Sequence, residues 1–456
     1  MFRQVASGPA LQQKVKGLSW FAIVRLGLVQ ASLGSIVVLT NSTLNRVMVV
    51  ELSLAAIIPG LLVGIHYAVQ LSRPVWGHRS DVGRSRTAWI LGGLALLAVS
   101  GTAAAATTFL FQSGFAVGLI AAIVAYTLIG IGIGASGTSL LALMAAKTAP
   151  ERRASAATIT WMLMIAGIVV TSIVTGINLD PYTHARLVAV TAITGLVVLS
   201  ISAIAIAGIE KQPTVIGDRD RQRATSFQES IREVWNDPEA RLLTLFIFMS
   251  MLAYSTQDLV LEPYAGLLFG MTPGETTKLS GTQHGGVFFG MAIVGIAGGL
   301  FSKRKPGLIK FFIFSGCLGS GIALAFLSVS ASFAPVWPLE ANIFALGFMN
   351  GAFAVAAVGT MMVLAGGGKT SNEGVRMGVW GAAQAISFGL GGVAGTIVLS
   401  LGRWSTGNDG TAFTLVFALE ALLFLMSALI ALRISVGSAS PSRSASGPEH
   451  AAVPAE

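Results

Sequence analysis

Two carboxylates four residues apart, Asp258 and Glu262, stand in Gln257-Asp258-Leu-Val-Leu-Glu262-Pro263-Tyr264, within an otherwise apolar stretch. On a helix that spacing places both on one face, about 6 Å apart along the axis. An ionisable group inside a bilayer is a functional candidate by default, as a proton carrier or as half of an ion pair. Counted from Leu242, the two acids fall in the outer third of their stretch. Headgroups nearby make a carboxylate cheap there, and that plainer reading stands beside the functional one. The first apolar stretch ends at a comparable depth with Asn45-Arg46 and Glu51, so Arg46 can pair with Asp258 or Glu262 and close that side. His66 lies near the middle of the second stretch, and His284 opens the eighth within Thr282-Gln283-His284-Gly285-Gly286. A neutral imidazole ligates a metal or relays protons, although a lone histidine in a helix is more often hydrogen-bonded packing. Gly285 and Gly286 would leave room beside His284 for a flat ring.

The elements that position these groups follow from composition. Apolar residues make up 54% of the 456 and charged residues 11%, against roughly a quarter charged in soluble domains. Such a chain lacks the polar surface to face water all round. A helix rising about 1.5 Å per residue needs about 20 apolar residues to cross some 30 Å of hydrocarbon. Runs of that length fall at 20–44, 53–74, 87–110, 115–146, 155–178, 185–208, 242–269, 280–301, 307–329, 336–365, 374–402 and 411–433. The expectation is an all-α polytopic membrane protein with twelve transmembrane helices. The lone Cys317 excludes disulfides and thiolate metal sites. No catalytic triad, metal-ligand cluster or dinucleotide fingerprint is present, so no metal site and no enzymatic activity are expected.

Charge sets the orientation. With the N-terminus inside, the outer connections hold only Arg46, Arg186, Lys278 and Arg403, and Arg25 lies within the first span; the other Lys and Arg fall on the inner side. By the positive-inside rule both termini are cytoplasmic. The net charge of +9 then implies anionic membrane lipid as partner and no nucleic acid. The hydrophilic stretch 210–241 divides the chain six spans to six, and within it 226–234 can form a short surface helix. The expected organisation is a cytoplasmic segment 1–17, a six-helix half 18–209, the linker 210–241, a second half 242–433, and a Ser/Ala/Pro-rich tail 434–456 expected to be disordered. Shifting the sequence by about 224 residues lays Gly77-His78-Arg79 over Phe301-Ser302-Lys303, each after the second span of its half, as internal repeats require.

A charged linker between six-span halves, together with the loop Gly77-His-Arg-Ser-Asp81-Val-Gly83-Arg84-Ser-Arg86, resembles the major facilitator superfamily. Gly77 permits a tight exit from its helix, and Asp81 can accept from a helix N-terminus or from Arg84 and Arg86. This copy is one residue shorter than the superfamily's usual loop between the acid and the following glycine. The pairs Gly130/Gly134, Gly286/Gly290, Gly295/Gly299 and Gly391/Gly395 have the spacing that lets helix backbones approach closely.

Several stretches narrow the resemblance: Leu44-Asn45-Arg46-Val-Met-Val-Val-Glu51, His78-Arg-Ser-Asp81, Gln257-Asp258-x-x-x-Glu262-Pro263-Tyr264 and Gly281-Thr-Gln-His284-Gly-Gly. Over Leu18 to Arg433 the chain resembles the PucC/LhaA family of purple phototrophic bacteria. The resemblance implies a chaperone-like assembly factor for light-harvesting complexes, in the inner, intracytoplasmic photosynthetic membrane. It would deliver bacteriochlorophyll to the antenna α/β polypeptides, with bacteriochlorophyll synthase and the protein-insertion machinery as further partners. The pigment would then be bound cargo, with His284 first and His66 second as ligands of its magnesium. The rival expectation is a proton-coupled secondary transporter of a small solute, with Asp258 and Glu262 as proton carriers.

Overall fold

Long runs without charge must bond their own backbone once water is gone, and a helix does this within one segment. The computed structural model describes residues 17–73, 76, 85–149, 152–211, 232, 235–301, 304–305, 307–366 and 373–434, and it is all-helical. In chain order the long helices of the first half are α1 (Trp20–Glu51), α2 (Ile57–Ser72), α3 (Arg86–Ser113), α4 (Phe115–Lys147), α5 (Arg153–Leu179) and α6 (His184–Ile206). Those of the second half are α7 (Pro238–Phe269), α8 (Pro273–Phe301), α9 (Leu308–Phe333), α10 (Leu339–Gly366), α11 (Glu373–Thr406) and α12 (Asp409–Arg433). Among the described residues, ten helices are long and apolar enough to cross a membrane; α2 is shorter, and α8 is not among the ten. Large apolar side chains such as Val99, Ile120, Ile204 and Leu300 cover the outside, as a lipid-facing surface requires. The chain is a multi-pass membrane protein.

The same packing recurs in both halves. In the first, α1 packs on α5 and α6, α3 on α4 and α6, and α2 on α4; in the second, α7 packs on α11 and α12, α9 on α10 and α12, and α8 on α10. Each half has its own apolar core. The halves meet where α5 lies on α8 and α2 on α11, around a small seam of Val38, Leu39, Ile165, Ile168, Val287 and Met291.

The two largest departures from the expected boundaries, the end of α1 and the start of α8, each have a local reason. The first helix runs on past 44 to Glu51, widening into π turns at Leu39–Thr43 and Val47–Glu51, so Asn45 and Arg46 are buried within it. Helix α8 starts at Pro273, seven residues early, because Thr272-Pro-Gly-Glu275 is a capping box. The Thr272 amide donates to Glu275 Oε2 at 2.8 Å, and the Glu275 amide donates to Thr272 Oγ1 at 3.2 Å.

Three of the four glycine pairs pack as expected. A Cβ on Gly286 or Gly290 would overlap the Phe344 or Phe348 carbonyl of α10, while one on Gly347 or Gly351 would overlap Gln283 or Val287 of α8. Gly130 lies on α2, and Gly391 and Gly395 lie on α7. Gly295 instead faces open space, which corrects the packing expected of Gly295/Gly299.

Candidate functional site

The end of the bundle opposite Trp20 and Arg433 is held shut by polar contacts between the halves. Pro263 has no N–H, so within α7 the carbonyl of Leu259 loses its helical donor. Asn45 of α1 fills that vacancy, its Nδ2 donating to Leu259 O at 2.6 Å. Arg46, 2% exposed, donates from Nη1 to Glu51 Oε1 at 2.5 Å and from Nη2 to Met271 O at 2.8 Å. The Thr43 and Thr277 hydroxyls meet at 3.1 Å. Asp180 accepts from Thr272 Oγ1 at 2.8 Å and from the Gly274 amide at 3.1 Å. Arg46 therefore does bridge the halves, but through a carbonyl, and its carboxylate partner is Glu51 on its own helix. This corrects the expected pairing with Asp258 or Glu262.

From mid-depth toward the other end the halves part around a cavity of about 340 Å³, within the range of small-molecule sites. Its wall is mostly aliphatic and aromatic, with Trp161, Tyr67, Tyr254 and Phe388 among the linings. Phe388 stands between the two tyrosines, its ring centroid 6.0 Å from that of Tyr67 and 5.9 Å from that of Tyr254. Both candidate histidines and Asp258 are on this wall. Glu262 is not. It lines a water-sized hole with Gln257, Asp258 and Gln283, so Asp258 borders both spaces. Both Glu262 oxygens lack a hydrogen-bond donor, because the adjacent Thr276 hydroxyl donates to the Pro273 carbonyl. Gln257 is fully buried and accepts from Gln283 Nε2 at 3.2 Å and from Asn350 Nδ2 at 2.8 Å. It braces the second half and does not line the larger cavity. Burial also corrects the plainer reading of the acids as cheap headgroup-level carboxylates, since Glu262 is 2% exposed.

Hydrogen bonds assign different chemistry to the two histidines. Arg73 can only donate, so its bond to Gln70 Oε1 turns the Gln70 amide nitrogen toward His66. That nitrogen donates to His66 Nε2 at 3.0 Å. The lone pair of His66 is thereby used, and its Nδ1 carries the proton and has no partner. In His284 the Nδ1–H donates to the Ser280 carbonyl at 2.9 Å, leaving Nε2 as the lone-pair nitrogen. A ligating histidine is typically held in this way, one nitrogen on a carbonyl and the other on the metal. Next to it in the chain, Gly285 has an open Cβ position, whereas Gly286 is filled by α10, against the expectation that both glycines leave room.

The sequence counted Arg73 only among the inner-side cations and did not single out Tyr67, Gln70 or Tyr254. The signal was present: His66, Gln70 and Arg73 are spaced four and three, which is one helical face. Of the signature loop, Gly77, Asp81, Gly83 and Arg84 lie outside the described residues, as do 1–16, 212–231 (most of the linker helix expected at 226–234) and 435–456.

Arg86 is described, and it opens α3. There the acid on the helix N-terminus is Glu210, which follows α6. Glu210 accepts from Ser85 Oγ at 2.7 Å, the Arg86 amide at 2.6 Å and the Thr87 amide at 3.1 Å. Lys147 Nζ reaches the Glu210 carbonyl at 2.8 Å. Partial burial works to raise the Glu210 pKa, but the donors from Thr87, Ser85 and Arg86 outweigh it and hold the carboxyl below its ordinary 4.5. The sign follows: the clamp is fully present above pH 4.5 and is lost as pH falls through the lower folded value. Glu210→Ala should cost about 1 kcal/mol near neutral pH, as loss of a helix cap does. Thermal unfolding of both proteins from pH 7 to pH 3 checks this, and the difference should vanish at the acid end.

The family described as PUCC protein matches residues 43–439. A relative in Rhodobacter capsulatus named Bacteriochlorophyll synthase 44.5 kDa chain is 50% identical over 91% of this chain and 95% of its own. Protein PucC of the same organism is 30% identical over 90% of this chain and 91% of its own. Protein PucC of Cereibacter sphaeroides is 26% identical over 90% and 91%. The first name stands against the expectation of no enzymatic activity and corrects it, since a relative of that identity is called a chain of a synthase. Among solved structures, the peptide transporter POT in complex with sulfate superposes with TM-score 0.66 at 14% identity, covering 92% of this chain and 96% of that one. A D-xylose–proton symporter gives 0.66 at 14%, covering 91% and 97%. A bacterial homolog of the human lysosomal transporter Spinster, inward-facing and unoccupied, gives 0.62 at 16%, covering 92% and 96%. These likenesses establish the helical fold that those proteins share.

Proposed function

Because the chain belongs to the PUCC family, we propose that it handles bacteriochlorophyll during biogenesis of light-harvesting complexes. The pigment is held in the cavity between the halves and released to antenna α/β polypeptides. One observation carries the reading. His284 presents a lone-pair nitrogen to a largely apolar cavity, with its other nitrogen fixed on the Ser280 carbonyl. A magnesium chlorin supplies an apolar plane and a metal that accepts one axial ligand. The chain's part is to offer that nitrogen, to stack aromatic side chains on the ring and to exclude water. The name of the 50% identical relative supports placing the protein beside or within the machinery that completes the pigment. We further infer that α2 and α8 cross the membrane with the other ten helices, giving twelve crossings. On the charge distribution both termini are then cytoplasmic, the sealed end is periplasmic and the cavity opens inward, in the intracytoplasmic photosynthetic membrane. The linker 210–241 separates the two six-helix halves.

The near-infrared absorption spectrum of protein purified in mild detergent from a pigment-containing membrane tests the reading. A bound pigment band is expected, and a pigment-free preparation would sink it. A second reading, proton-coupled transport of a small solute, draws on Asp258, which borders both the cavity and the hole beside Glu262. Solute uptake driven by a pH gradient in proteoliposomes, lost in Asp258→Asn, would favour that reading.

A further inference from the structure

We infer that Tyr67 and Tyr254 read the rim of the pigment. A hydroxyl of this pair donates to a carbonyl oxygen conjugated with the ring, so the cavity prefers a chlorin bearing an acetyl group to the same ring bearing a vinyl group; this rests on the pigment reading above. Both tyrosines line the cavity, one from each half, Tyr67 on α2 and Tyr254 on α7. Phe388 of α11 stands between them, and the three rings make one aromatic row. The halves meet along two seams, α5 on α8 and α2 on α11. His284 belongs to the first seam, and Tyr67 and Phe388 belong to the second, so the metal-binding nitrogen and the row face the cavity from different sides. An axial ligand stands perpendicular to the plane of the ring it holds. A ring held from His284 would therefore turn its other face to Phe388 and bring its rim to the flanking tyrosines.

The hydroxyls have protons to give. Tyr67 Oη accepts from Asn41 Nδ2 at 3.4 Å, which leaves its own proton uncommitted. Tyr254 Oη has no hydrogen-bond partner among the described residues, and Asp258, near both tyrosines, is within hydrogen-bond distance of neither. On the same wall the Gln30 and Gln384 amides point at thioethers, Met164 Sδ at 3.3 Å and Met251 Sδ at 3.9 Å. Trp161, on α5, shares the seam of His284 and so stands on the ligand's side of a bound ring. An acetyl oxygen on the opposite rim gives a tyrosine proton its acceptor, and a vinyl group of nearly the same size does not. A site built to hydrogen-bond a group rejects the analogue that lacks it, because the buried donor is then left unpaired. Esterification of the pigment does not enter this choice, so the tailed pigment and a methyl ester of the same ring are read alike.

The test uses the full-length protein in detergent and two zinc chlorin methyl esters that differ in one rim substituent, acetyl or vinyl. Quenching of tryptophan fluorescence reads their binding. The wild type is expected to bind the acetyl ring about fivefold more tightly, as one net hydrogen bond would give. The double variant Tyr67→Phe with Tyr254→Phe keeps both aromatic rings. It should bind the vinyl ring as the wild type does and lose the preference, and the single variants then assign the hydroxyl. Resonance Raman spectroscopy of the wild type needs no variant: the acetyl C=O stretch should fall below its value for the free chlorin in the same detergent. Equal binding of the two rings by the wild type, or an unshifted acetyl stretch, overturns the inference while leaving a pigment cavity in place. So does equal weakening of both rings in the double variant, or a preference that survives there, which would pass the donor role to Trp161, Gln30 or Gln384. Binding of neither chlorin by the wild type overturns the pigment reading and this inference with it.

Discussion

Replacing His284 by phenylalanine is expected to lower the pigment retained by the purified protein by roughly tenfold to a hundredfold, the range seen when even the outer partners of a metal ligand are removed. Phenylalanine keeps a planar ring of similar size, so the wall stays filled and the change isolates the nitrogen. The corresponding change at His66 should matter much less. Its Nε2 already accepts from Gln70 at 3.0 Å, and Arg73 fixes the orientation of that amide. To reach a metal, His66 would have to break this bond and leave the Gln70 donor unpaired inside the protein, a cost of about 1–3 kcal/mol. His284 has no such cost, because its carbonyl bond to Ser280 is the one that exposes Nε2. The ratio of near-infrared to ultraviolet absorbance after purification measures both variants. Full pigment in His284→Phe with depletion in His66→Phe would reverse the assignment.

The ranking of those histidines marks the limit of what the sequence could say. Residue type and rough depth pointed to both, and hydropathy placed them in helices. The tautomers depend on which neighbour sits four residues away and what that neighbour is itself bonded to. For His66 the chain of neighbours ends at Arg73, a residue that counted in the sequence only as an inner-side charge. The early start of α8 was readable in Thr272-Pro-Gly-Glu275, since a capping box is a local signal, but the polar tract that follows it masked the helix. The junction of Asn45 with Leu259 was half legible. Pro263 inside an apolar helix announces a carbonyl in want of a donor, yet nothing in one sequence says which distant side chain supplies it. The same holds for Arg46: its depth relative to Asp258 and Glu262 suggested a pair across the halves. The actual acid, Glu51, lies five residues on, reached because the helix widens into a π turn at Val47–Glu51.

That geometry leads to the other large effect. Arg46→Leu is expected to destabilise the protein by about 3 kcal/mol, the lower part of the range for breaking a buried ion pair, because the Glu51 side chain is 33% exposed and can partly hydrate when left alone. The loss has two parts. One is the bond to Glu51; the other is the bond to the Met271 carbonyl, which ties α1 to the loop between α7 and α8. Glu262, close enough to feel the Arg46 charge, would also lose its neighbouring cation, while both its oxygens already lack donors. A double-mutant cycle on thermal unfolding separates the contributions. Arg46→Leu combined with Glu51→Leu should fall short of the sum of the singles by about 1–3 kcal/mol. Arg46→Leu combined with Asp258→Asn should add to within about 0.5 kcal/mol. Strong coupling to Asp258 and none to Glu51 would mean that the sealed end is held by a charge pair between the halves. In that case, losing the Arg46 charge would open the far side directly. With Glu51 as partner, the charge is neutralised within α1, and among the described residues what holds the halves together is hydrogen bonding with no ion pair across the seam: the carbonyls of Met271 and Leu259, the Thr43–Thr277 contact, and the Asp180 carboxylate on the Thr272 hydroxyl and the Gly274 amide. Such a seal should loosen little with added salt, whereas an ion pair across the halves would weaken as ionic strength rises.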